Sequence, residues 1–195
     1  KGEKSVHDLD NMLKREIYDF PEQAYQMLFT SNHDENSWQG SAMERLGIGL
    51  ETFNVLAFTM HGMPLIYGGQ EAAETRRIKF FDKDEIHWKD DKLYPFYQKL
   101  TTLKKRNEAL WNGNFGGSFI RINSSNNWAV FAYLRKKNEK KVFVVLNLSH
   151  YEQHAVLHGD VYAGEYREVF TGKTEKFTGN NTIHLNPWGY KVFEI

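Results

Sequence analysis

The sequence predicts an α/β half followed by an all-β half, and three observations carry that reading. Between residues 1 and 113 the apolar residues alternate between helical spacing and short unbroken runs, in the order helix, strand, helix, strand, helix. The two runs are apolar on both faces, as in parallel strands covered from both sides. From Asn112 to Ser118 the chain becomes rich in Gly and Asn, and beyond it short segments separated by Asn, Gly, Lys and Ser turns follow at the spacing of an antiparallel sandwich. The expected division is residues 1–113 and 114–195.

Each element has a local cause. Ser5 with Asp8 resembles a capping box, Leu9, Met12, Leu13 and Ile17 follow at helical spacing, and Pro21 closes the helix. Gln26 to Thr30 is the first strand. Ser41 with Glu44 opens a second helix, expected to run unbroken along the stripe Leu46, Leu50, Phe53, Ala57 and Met60 to Gly62. Pro64 to Tyr67 is the second strand, and Leu93, Phe96, Tyr97, Leu100 and Leu103 mark a third helix. In the all-β half, strands are expected at Phe119–Ile122, Trp128–Leu134, Val142–Leu148, Glu165–Phe170, Thr182–Leu185 and Tyr190–Ile195. Two parallel strands alone would leave free edges and bare apolar faces, so the first half is expected to be a remnant of a larger sheet. The all-β half is expected to have no such deficit.

Composition narrows the function. With 41% hydrophobic and 26% charged residues the chain is that of a soluble globular protein, and its zero net charge argues against a grip on nucleic acid. The short basic runs Lys104-Lys105-Arg106 and Arg135-Lys136-Lys137 are read as solvated faces. No segment reaches the ~20 apolar residues of a membrane span. There is no cysteine, which excludes disulfides and leaves the compartment open. The chain opens on Lys1 without a methionine, which reads as an internal start.

Two segments carry the chemistry. The run Met27-Leu28-Phe29 ends in Ser31-Asn32-His33-Asp34, an imidazole beside a carboxylate. Gly62-Met63-Pro64-Leu65-Ile66-Tyr67 ends in Gly68-Gly69-Gln70-Glu71, and the two polar tips are expected to be neighbours. Gly47-Ile48-Gly49 is no dinucleotide fingerprint, because it falls inside the second helix and has no third glycine. The eight histidines show no metal-binding spacing such as His-Glu-x-x-His.

Phe29-Thr30-Ser31-Asn32-His33-Asp34 resembles the last of the short sequence regions shared by the alpha-amylase family of glycoside hydrolases (family 13). Gly62 to Glu71 is similar to that family's eighth barrel strand. Phe80-Phe81 through Ile86-His87-Trp88 and the helix ending in Arg106-Asn107-Glu108-Ala109-Leu110 are similar to its run into the last barrel helix. The resemblance implies the last two β/α units of a TIM (β/α)8 barrel followed by an antiparallel β-sandwich. It implies that Asp34 is the catalytic carboxylate that favours the distorted sugar ring, not the nucleophile, and that His33 binds a hydroxyl of the same sugar. Trp38 is assigned to substrate, with loop packing as the alternative, and Glu71 is read as structural. Family members draw the nucleophilic Asp from a Gly-Phe-Arg-x-Asp-like segment on the fourth strand and the acid Glu from the fifth. Neither segment is present, and Ala163-Gly164-Glu165 lies in the all-β half. Retaining hydrolysis needs two carboxyl groups about 5 Å apart, so the chain alone is expected to be inactive.

The implied partners are an α-glucan and the missing N-terminal barrel portion, or another protein covering the seam. No cofactor is expected, since any family calcium site would draw its ligands from upstream. The alternative is a non-catalytic carbohydrate-binding or scaffold module derived from an amylase-like protein.

Overall fold

The computed structural model describes residues 4–21, 23–88 and 93–195, with residues 16–18 described by backbone alone, so the Ile17 side chain lies outside the described residues. Helix α1 (Val6–Asp19) begins where the Asp8 carboxylate accepts the Ser5 amide at 2.8 Å and hydroxyl at 3.0 Å, and it stops short of Pro21. Strands β1 (Met27–Phe29) and β2 (Met63–Leu65) pair in parallel, with Leu28 opposite Pro64. Gly62 allows their approach: a Cβ there would lie 2.6 Å from Leu28 Cδ1 and 2.9 Å from the Gln26 carbonyl.

The helix expected from Ser41 to Gly62 is interrupted. Helix α2 (Ala42–Leu46) opens with a full capping box, the Ser41 Oγ accepting the Glu44 amide and the Glu44 carboxylate accepting the Ser41 amide at 2.7 Å. It ends at Gly47, whose φ of +53° turns the chain into a short 3₁₀ turn before α3 (Leu50–Thr59). The break makes room for Trp188 from the far end of the chain; a Cβ on Gly49 would come within 3.2 Å of its indole. Apolar spacing survives a single 3₁₀ turn, so periodicity alone does not reveal the interruption.

Helix α4 (Tyr94–Arg106) follows, and then eight strands: β3 (Ser118–Ile122), β4 (Val130–Lys137), β5 (Lys140–Asn147), β6 (Gln153–Val156), β7 (Gly164–Glu168), β8 (Thr174–Phe177), β9 (Thr182–Leu185) and β10 (Tyr190–Glu194). Six form an antiparallel sheet in the order β3-β4-β5-β10-β7-β8, and β6 pairs with β9 as a second, two-stranded layer. β6 and β8 were not expected. Each is four residues long with a single buried side chain, Ala155 and Phe177, too little for an alternation pattern to register.

Both faces of the six-stranded sheet are covered, so β4 and β5 are apolar without alternation. Val130, Ala132, Leu134, Phe143, Val145 and Phe193 pack toward β6 and β9, with Ala155, Ile183 and Leu185. Phe131, Tyr133, Val142, Val144 and Val192 pack instead with Val55 and Phe58 of α3 and Leu100 and Leu103 of α4. One core therefore runs from the helices into the sheet. The expectation that the all-β half covers its own apolar faces is not met.

The first half does show the predicted deficit. Met27, Phe29 and Met63, on one face of the parallel pair, are 51%, 42% and 47% exposed. An open groove of about 750 Å³ lined by Tyr25, Phe58, Pro64, Ile66, Trp111 and Phe115 lies beside β2. The basic runs also differ from expectation. Arg135 is completely buried, and burial pushes the half-buried Lys104 ammonium down to about 8 while it donates to the Leu110 carbonyl. Among the described residues, no helix is long and apolar enough to cross a membrane.

Candidate functional site

The turns after β1 and β2 are wired together by one buried side chain. Gln70 Nε2 donates to Thr30 Oγ1 at 2.8 Å and to the Tyr97 hydroxyl at 3.4 Å, while its Oε1 accepts the Tyr67 amide at 2.7 Å. The Thr30 hydroxyl in turn donates to Asn54 Oδ1 on α3 at 2.9 Å. The expected neighbouring of the two tips is therefore real, but Gln70 faces inward as structural wiring. Glu71 Oε2 is buried without a hydrogen-bond partner among the described residues.

Beyond Ser31 the chain coils at once. Asn32 Oδ1 accepts the Glu35 amide at 2.8 Å, and His33 and Asp34 form the first turn of a short helical segment that continues as a π-helix over Glu35–Gln39. This holds His33 Nε2 3.4 Å from Asp34 Oδ2, with both side chains open to solvent at 64% and 59% exposure. Arg45 anchors the segment from beneath, pairing with Glu35 at 2.9 Å and donating to the Thr30 carbonyl.

A loop from Glu74 to Trp88 supplies the other wall. Buried Asn36 clamps it, accepting the Ile78 amide at 2.7 Å and donating to the Arg76 carbonyl at 3.3 Å, while Ser37 Oγ donates to the Ile78 carbonyl at 2.7 Å. Phe80 and Phe81 then stand beside His33 and Trp38. The Phe80 ring lies 5.6 Å from His33 and 5.4 Å from Trp38, and Phe81 lies 6.3 Å from Trp38. Trp38 and Phe81 remain 55% and 84% exposed, so this is an aromatic ridge facing water beside a carboxylate. Rings bared in this way can stack on the apolar faces of a sugar. The sequence names Phe80 and Phe81 only through resemblance; the available signal for a site role is a pair of aromatics inside an otherwise polar loop.

Glu74 holds that loop. Its side chain is only 6% exposed. Burial disfavours its charge, but the amides of His87 and Arg76 and the Arg76 guanidinium outweigh this and hold the carboxyl at about 2. A carboxyl ionising near 2 in the folded chain and near ~4.3 unfolded stabilises fully above about pH 4.3 and loses that contribution as pH falls toward 2. Glu74→Gln is expected to cost about 2 kcal/mol and to release the ridge. The readout is the Trp38 indole NMR resonance, which should shift between about pH 4 and pH 2 in the wild type. In the variant it should already sit at its shifted position at neutral pH, and an unmoved resonance would refute this role for Glu74.

Glu165, of the Ala163-Gly164-Glu165 segment, lies exposed on β7 in the six-stranded sheet.

The chain is similar to several known proteins. The family model for the C-terminal domain of maltogenic amylase matches residues 120–192. "Alpha-amylase 2" of Dictyoglomus thermophilum is 26% identical over 172 residues, covering 82% of this chain and 27% of that protein. A cyclomaltodextrinase of Thermoanaerobacter pseudethanolicus is 29% identical over 140 residues, covering 68% of this chain and 22% of its own. A noncanonic maltogenic alpha-amylase of Thermotoga neapolitana superposes over 100% of this chain and 46% of its own, with a TM-score of 0.83 at 19% identity. The chain thus spans about a quarter of the length of the curated relatives it matches and less than half of the solved one. Its likeness, in sequence and in fold, is to the C-terminal part of alpha-amylase-family proteins.

Proposed function

We propose that this chain is the C-terminal portion of a retaining α-glucan glycoside hydrolase, with β1 and β2 as the last two strands of an eight-stranded parallel barrel. The observation that carries the reading is the parallel pairing of β1 and β2, which brings His33-Asp34 and Gly68-Gly69-Gln70 to the same end of the sheet. Catalytic side chains of such barrels come from the C-terminal ends of the strands. The exposed face bearing Met27, Phe29 and Met63 supports it too, as an interior that further strands would fill.

In this reading the Asp34 side chain binds sugar hydroxyls at the scissile subsite. Its contacts tighten as the ring flattens toward an oxocarbenium ion, which lowers the barrier without favouring the ground state. His33 donates to a hydroxyl of the same sugar, and Trp38, backed by Phe80, stacks on a neighbouring one. The nucleophile and the general acid come from upstream strands that also cover the bare face.

The test is a paired assay on malto-oligosaccharides. The 195-residue chain should release no reducing sugar, and the intact protein containing the upstream strands should release it with retention of anomeric configuration. Inversion, or turnover by the short chain alone, would overturn the proposal.

A further inference from the structure

The second layer of the β half carries a cluster that the proposed hydrolysis does not use. In the β6–β9 ribbon His154 lies directly opposite His184, and their rings stack with centroids 4.4 Å apart. The alternating neighbours Ala155, Ile183 and Leu185 are buried in the core, so the pleat directs both imidazoles outward. Glu152, two residues before His154, turns its Oε1 between them, 3.0 Å from His154 Nε2 and 2.5 Å from His184 Nε2. All three potential ligand atoms lie within 4.8 Å of one another, and the side chains are half to two-thirds exposed.

We propose that Glu152, His154 and His184 form a surface binding site for a divalent transition-metal ion of the zinc, nickel or copper(II) class. Two imidazole nitrogens and one carboxylate oxygen are the donor set these borderline ions prefer, whereas calcium and magnesium take oxygen cages. Ligand atoms on a tetrahedral ion with bonds of ~2.0–2.1 Å stand ~3.4 Å apart, so the spacings from Oε1 to the two nitrogens need to open by less than about 1 Å. The ribbon needs no refolding, because strand register already fixes the two rings. Three protein ligands leave a fourth position to water. Each Nε2 would offer its lone pair to the ion, with the ring proton carried on Nδ1.

Isothermal titration of the untagged 195-residue chain with zinc, and separately with nickel, tests the site. One saturable site per chain is expected. His154→Ala and His184→Ala should each weaken it by at least about tenfold and Glu152→Gln by less, since it removes the charge but leaves an oxygen. His158→Ala, on an exposed imidazole outside the cluster, should leave the affinity unchanged. A measurement that needs no variant guards against a misfolded ribbon: substoichiometric copper(II) should broaden the imidazole resonances of His154 and His184 before those of His150 and His158. Absence of a saturable site for either metal overturns the proposal. So does unchanged affinity in the double His variant, or broadening that begins at other histidines.

Discussion

On the proposed function, Asp34→Asn in the longer protein is expected to lower kcat by at least about a hundredfold while leaving the unfolding midpoint within error of the wild type. The two halves of that expectation rest on different observations. Folding is indifferent because the Asp34 side chain is 59% exposed, with His33 Nε2 3.4 Å away. Exposed pairs of this kind contribute little to stability, and Asn keeps the size and hydrogen-bonding reach of the side chain. Turnover is expected to be sensitive because, on the proposed function, the substitution removes a carboxylate from beside a ring that becomes cationic in the transition state. Single electrostatic contacts of that type are worth ~3–4 kcal/mol, or about 10²–10³ in rate. The effect should fall on kcat and kcat/KM together, the mark of an interaction realised only at the transition state. A variant with wild-type kcat and raised KM would instead make Asp34 a ground-state binding residue.

How far the sequence foretells this site depends on how local each feature is. The parallel pair is legible because both runs are apolar on each face and end in polar tips, a property of a few adjacent residues. His33 and Asp34 are legible for the same reason. The aromatic wall is not: Phe80 and Phe81 sit in a polar loop without periodicity, and Asn36, some forty residues earlier, brings them to Trp38. The His154–His184 pair escapes any spacing rule because strand register, not chain distance, joins residues thirty apart. β6 and β8 escape because single inward residues make no pattern. The bare face of β1 is a different case. Met27 and Phe29 do read as buried, yet they are exposed; in the proposed reading, strands outside this chain would cover them.

Arg135 is where reading by residue type misleads most, and where a substitution should cost the most stability. In sequence it opens the basic run Arg135-Lys136-Lys137 at the end of β4 and reads as a solvated turn. In the fold it is fully buried beneath α3, and its guanidinium donates to the carbonyls of Thr59 at 3.2 Å, Trp111 at 3.2 Å and Gly117 at 3.1 Å. Burial pulls the guanidinium down to about 10, which still leaves it charged at neutral pH. Thr59 closes α3, Trp111 precedes the change of architecture, and Gly117 leads into β3; one side chain thus satisfies carbonyls from all three. Arg135→Ala leaves those carbonyls without their donor and opens a cavity, and should cost ~3–5 kcal/mol in urea unfolding. Arg135→Met separates the two causes, because it refills the volume without supplying a donor. If unsatisfied carbonyls dominate, Met should recover less than about half of the loss. A Met variant as stable as the wild type would show that Arg135 acts as a packing group, and that water or backbone shifts can serve the three carbonyls instead.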